Sequence, residues 1–133
     1  MLLRSFVALA SAAVIAGCAP RNAVTPGFAV VETAAVDPAR TSERIEIDGA
    51  HRRLRSVTVM VTGRRLFIER VSVQYSNSDV IEFAVDERVE AGATTRAFDL
   101  PGNYRSVRAV EVSYRAETPF AHGLVHLHVY GRR

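Results

Sequence analysis

The side chains best suited to chemistry in this chain are three histidines, His122, His126 and His128. His126 and His128 alternate with Val125, Leu127 and Val129. Alternate residues of a β-strand leave the same face, so the two imidazoles are expected side by side. A His-x-His pair on a strand suits zinc, provided that a third and usually a fourth ligand converge and other groups orient the rings. His122 or a neighbouring strand would have to supply them. The competing expectation places Val125, Leu127 and Val129 in a core and the histidines on its polar side. On that ground no metal and no other cofactor is assigned.

The carboxylates Glu82, Asp86, Glu87 and Glu90 form a second group. Paired acids hydrolyse glycosides only at a defined separation across a cleft, and calcium loops need an ordered ligand spacing absent here. A solvated hairpin tip is expected instead. There is no Gly-x-Ser-x-Gly elbow and no glycine-rich phosphate loop. No catalytic residue is assigned, and the chain is expected not to be an enzyme. Tyr75, Tyr104, Tyr114 and Tyr130 could stack on a sugar, but the chain has no Trp, and Tyr75 and Tyr114 are expected in the core or at sheet ends.

Cys18 is the single cysteine. Before it stand Arg4, an apolar run over residues 6–16 broken only by Ser11, and the small pair Ala16-Gly17. These are the parts of an export signal, and the run is shorter than the about 20 apolar residues of a membrane span. The sequence Ile15-Ala16-Gly17-Cys18 resembles the lipobox of bacterial lipoproteins. That resemblance implies cleavage before Cys18, a diacylglyceryl thioether on its sulfur and a further acyl chain on the new amine. At about 0.8 kcal/mol per buried CH₂, two or three chains hold a protein stably on a bilayer. Ala19 in place of aspartate implies the outer membrane, with the domain facing the periplasm. The expected organisation is a signal peptide over 1–17, a lipidated N-terminus and tether over 18–42, and a domain over 43–133.

Composition narrows the partners. All 17 basic residues are arginine, and the formal net charge is +3. Arginine alternates with acid, as in Glu43-Arg44-Ile45-Glu46, a pattern of cross-strand pairing on a solvated face rather than a concentrated nucleic-acid surface. No nucleic-acid partner is expected. Small clusters at Arg52-Arg53-Arg55, Arg64-Arg65 and Arg132-Arg133 could meet envelope polyanions. With Cys18 acylated no thiol remains for a disulfide.

The elements that must position these groups read as strands. Val, Ile and turn residues recur over 44–47, 54–62, 66–75, 80–85, 95–100, 106–115 and 124–130. Seven strands with an eighth at Phe28-Ala29-Val30-Val31, turns every 8–12 residues and no amphipathic helix predict an all-β antiparallel sandwich, jelly-roll-like. The inward series is expected to be Val57, Val59 and Val61; Phe67, Val71, Val73 and Tyr75; Ile81, Phe83 and Val85; Val110, Val112 and Tyr114; and Val125, Leu127 and Val129. Leu54 to Val57 is echoed by Tyr104 to Val107, and Val71 to Tyr75 by Val110 to Tyr114. Related half-domains or the limited vocabulary of strands would each explain that echo.

Val71 to Tyr75, Ala91-Gly92 with Thr94-Thr95, Asp99-Leu100-Pro101-Gly102, Val110 to Arg115 and Val129-Tyr130-Gly131 form a recognisable pattern. Over about 45–131 the chain resembles a family of small exported proteobacterial proteins of unknown function. The resemblance implies a β-sandwich and no established activity. The expected function is therefore that of a lipid-anchored envelope module whose loops at 77–79, 86–93 and 118–123 meet a protein or glycan. One alternative is a carbohydrate-binding module using Tyr104, Phe120 and Tyr130. The other is a metal-binding protein using His126 and His128. No pattern specifies an oligomer.

Overall fold

The computed structural model describes residues 26–49, 53–102 and 106–133. Cys18, the signal segment 1–17, the first part of the tether and Tyr104 lie outside the described residues. Eight strands follow in order: β1 (Ala29–Ala35), β2 (Ser42–Glu46), β3 (Ser56–Thr62), β4 (Leu66–Tyr75), β5 (Val80–Val89), β6 (Phe98–Asp99), β7 (Val107–Arg115) and β8 (His126–Arg132). One sheet runs β1-β8-β3-β6 and the other β2-β7-β4-β5. Neighbours within each sheet are antiparallel. Apart from the β4–β5 hairpin, which stays within one sheet, successive strands cross between the two sheets in the jelly-roll order, and the expected fold class is realised.

The domain begins earlier than residue 43. Residues 29–35 of the segment read as tether pair with β8, from Ala29 opposite Gly131 to Ala35 opposite His126. The apolar Val31 and Ala34 pack on the core, which explains why this stretch is too hydrophobic for a free linker. Val36 closes the strand, fully buried, with its N–H donating to the Val125 carbonyl at 2.9 Å.

Alternation sets most of the core. Val57, Val59 and Val61 of β3, Val110, Val112 and Tyr114 of β7, and Val125, Leu127 and Val129 are all 0–1% exposed. Each fully buried valine or leucine contributes roughly 1.5–3 kcal/mol of transfer free energy. On β4 the expected inward series fails at its start. Ile68 lies opposite Tyr114 and Arg70 opposite Ser113, so Glu69 is an extra residue with no partner on β7. A single unpaired residue reverses the parity of a period-two strand. Leu66 and Ile68 therefore point inward before the bulge, and Val71, Val73 and Tyr75 after it. Phe67 is turned outward, under the Arg115 guanidinium at 4.4 Å from its ring centroid.

The two open sides of the sandwich are closed differently. On one, Phe83 of β5 stacks on Phe98 of β6 at 4.8 Å between centroids. Arg96 covers Phe98 at 5.0 Å and donates to the Ala84 carbonyl at 2.5 Å. On the other, the Tyr114 hydroxyl donates to the Asp37 carbonyl at 2.8 Å and lies 3.4 Å from Glu43 Oε1, pinning the β1–β2 connection. Burial beside Glu43 pushes that phenol well above its ordinary pKa, so it remains a donor.

The sequence echo is not a structural repeat. Leu54 to Val57 leads into β3 and Val71 to Tyr75 lies in β4, in opposite sheets, whereas both later copies lie on or before β7. The matched Val-x-Val segments are paired neighbours, Val71 opposite Val112 and Val73 opposite Val110.

Candidate functional site

The histidine face is assembled by β1, β8 and β3. Because Val125, Leu127 and Val129 are buried, His126 and His128 are directed to the outer face of their sheet, as period-two geometry requires. Their ring centroids stand 6.3 Å apart with a 31° tilt. On β1, Thr33 is opposite His128, and on β3 Thr62 is opposite His126. Thr33 Oγ1 lies 3.0 Å from His128 Nδ1, and Thr62 Oγ1 lies 2.8 Å from His128 Nε2. Both nitrogens of that ring are thereby engaged by hydroxyls, one from each flanking strand. The arrangement is a three-strand clamp, with β8 held to both neighbours through a side chain as well as through its backbone.

Its electrostatics favour the neutral ring. Partial burial lowers the His128 pKa, and a proton on nearby His126 lowers it further. A neutral imidazole has one donor and one acceptor nitrogen, so the two hydroxyls take opposite roles toward it. The same engagement leaves His128 with no nitrogen lone pair directed at solvent. His122 sits in the exposed loop before β8 and does not join the pair. Among the described residues no three His, Cys, Asp or Glu side chains gather as metal ligands.

Of the four carboxylates only Glu90 lies at a turn. β5 continues to Val89, so Asp86 and Glu87 belong to the strand, and the tip lies further on at Glu90 to Ala93. The bulge opposite Glu69 gives Asp86 a φ of 48°, one of two positive-φ residues other than glycine among the described residues. Glu82 and Asp86 line an open depression of about 390 Å³ on the outer face of the second sheet, with Glu69, Arg70 and Ala84. Glu87 lies opposite Ile68 and leaves on the other face, while Glu90 is 3.8 Å from Arg65. Glu82 and Asp86 thus share one depression with Glu69, while Glu87 and Glu90 stand apart from it.

The aromatic candidates are also dispersed. Tyr75 and Tyr114 are buried, Phe120 packs against the core, and Tyr130 is half-buried beside the histidine face. Thr33 and Thr62 are the site residues that sequence reasoning missed. Nothing in a strand's alternation marks which hydroxyl will meet a ring 95 or 66 residues away.

Comparison with known proteins adds a family. No curated protein matches this chain. Among solved structures, one described as "Structural and functional characterization of Pseudomonas aeruginosa AlgX" is similar at a TM-score of 0.45 and 13% identity, over 77% of this chain and 26% of that one. This chain thus spans about a quarter of that larger protein. The family model described as "Domain of unknown function (DUF2541)" matches residues 27–131, from the turn before β1 to Gly131 of β8, and the chain belongs to that family.

Proposed function

We propose that this chain is a lipid-anchored lipoprotein of the bacterial envelope, held in the outer membrane facing the periplasm, and that its sandwich is a non-catalytic binding or structural module. The observation that carries this reading is Cys18, the one cysteine, directly after Ile15-Ala16-Gly17 and an apolar run. The architecture agrees with it. β1 begins at Ala29, so a short tether separates the acylated residue from the first strand. Several polar side chains of the outer faces are spent on one another: His128 on two threonines, Ser56 on Asp99 at 2.7 Å, Arg88 on Glu117 at 2.6 Å. Two depressions on the outer face of the second sheet are open and polar rather than enclosed. Such a body suits contact with a macromolecule better than enclosure of a small substrate.

The test is metabolic labelling with a palmitate analogue, followed by flotation of membranes. The wild-type chain should be labelled and float. Cys18→Ser should lose the label and accumulate unprocessed. A wild-type chain without label, or a Cys18→Ser protein processed like wild type, would overturn the proposal.

A further inference from the structure

The tether departs from one end of the sandwich. Ala29 lies opposite Gly131, Ser56 lies opposite Arg132, and Arg53 bridges to Ser106 at the start of β7. These pairings bring the start of β1, the start of β3 and the end of β8 together, along with the beginning of β7. Val80 joins them from β5, opposite Gln74 and next to the turn that closes on Tyr75.

Three large apolar side chains stand out as exposed among the described residues: Val30 at 51%, Val80 at 57% and Leu124 at 41%. Two of these are at the tether end. Around them Arg53, Arg55, Arg132 and Arg133 are exposed. Arg132 is held outward over the Phe28 ring at 5.2 Å, donates to Ser56 Oγ at 3.1 Å, and lies 3.8 Å from Asp99. Asp48, Asp79 and, at the end of β2, Glu46 are the other acids here.

We propose that the tether end, presenting Val30, Val80, Arg53, Arg55, Arg132 and Arg133, lies against an anionic phospholipid surface. This rests on the anchoring at Cys18 proposed above. Eight residue steps separate Cys18 from Pro26. Fully extended they reach about 28 Å, at roughly 3.5 Å per residue. The acyl chains therefore place this end of the domain nearest the anchor and within reach of the headgroups. Exposed aliphatic side chains beside arginines are the composition that settles at a headgroup boundary: the apolar groups leave water while the guanidinium groups remain with phosphate. Attraction to a negatively charged leaflet acts within about 10 Å at moderate salt, a distance the tether permits. Docking turns a loosely leashed domain into an oriented one, with the Gly63 to Arg65 and Ala116 to Leu124 loops directed away from the bilayer.

The test uses the lipidated full chain in vesicles of phosphatidylcholine, with or without about 30% phosphatidylglycerol as the anionic lipid. The chain has no Trp, so Val30→Trp and, separately, Leu124→Trp each give a single emitter. Both positions are exposed, so each replacement adds the same bias toward lipid. With brominated acyl chains, Val30→Trp should be quenched at least twofold more in anionic than in neutral vesicles, and Leu124→Trp should not be quenched. Adding Arg53→Gln and Arg133→Gln should weaken the docked population by roughly fivefold per arginine. Equal quenching of the two tryptophans, or quenching indifferent to the anionic lipid, overturns the docking while the anchor stands. A chain that does not float with neutral vesicles overturns the anchor and the docking with it.

Discussion

Replacing Thr62 by valine removes one hydroxyl and little else, because valine keeps the β-branched shape that suits a strand. The lost oxygen lies 2.8 Å from His128 Nε2 in a half-buried position. The cost is that of one hydrogen bond plus a ring nitrogen left partly desolvated, about 1–2 kcal/mol. Thr33→Val removes the 3.0 Å partner of Nδ1 at an exposed site, where water replaces it, and should cost about 0.5 kcal/mol. Since the neutral ring donates at one nitrogen and accepts at the other, losing one hydroxyl frees the tautomer that served the second. The double variant should therefore cost somewhat more than the sum of the two single ones, since the tautomer can be freed only once. Urea unfolding at pH 8 measures all three, and Thr62→Val should lower Tm by about 5–10 °C. The clamp also fixes the sign of a pH effect. His128 has a lowered pKa in the folded state, through burial and then the charge of His126. The unfolded chain thus binds the proton more readily than the folded one. Stability from this group is complete above the ordinary histidine value near about 6.5 and is lost as pH falls through the lowered folded value. His128→Gln should flatten the stability profile between pH 8 and pH 5. An unchanged profile in that variant, together with wild-type stability in Thr62→Val, would refute the clamp.

Two further outcomes follow from packing. A Cβ at Gly63 would stand 2.0 Å from the Leu124 carbonyl oxygen, at a φ of +96°. Gly63→Ala should thus cost about 1–3 kcal/mol from the backbone conformation alone, more with the displaced carbonyl, read as a fall in the urea midpoint. Val112→Asp places a charge at a fully buried position between Val71 and Glu43 on the flanking strands. An unpaired buried charge costs several kcal/mol against a total stability of about 5–15 kcal/mol, so the variant should lack a cooperative melting transition by circular dichroism. A native melting curve would show that this face of β7 is not inward.

Much of the scaffold was legible because alternation is a local property. Val125-His126-Leu127-His128-Val129 fixes which side chains enter the core once any sheet forms, and the histidines leave on the other face as expected. Phe67 escaped the same logic: the bulge at Glu69 arises from pairing with β7, over forty residues away, and carries no signature in β4 itself. Asp86 and Glu87 were misplaced in a loop for a related reason. Acidic residues disfavour strands in isolation, but pairing with β4 extends β5 through them.

The amino-acid sequence alone determined the β content, most strand positions and the inward valines. All of these depend on neighbours within a few positions along the chain. Strand order, the parity reversal in β4, the joining of residues 29–35 to the sheet and the binding of His128 by Thr33 and Thr62 were decided by tertiary structure. Each of those requires distant segments to meet, and which segments meet is settled by the free energy of closing the whole core rather than by any local preference.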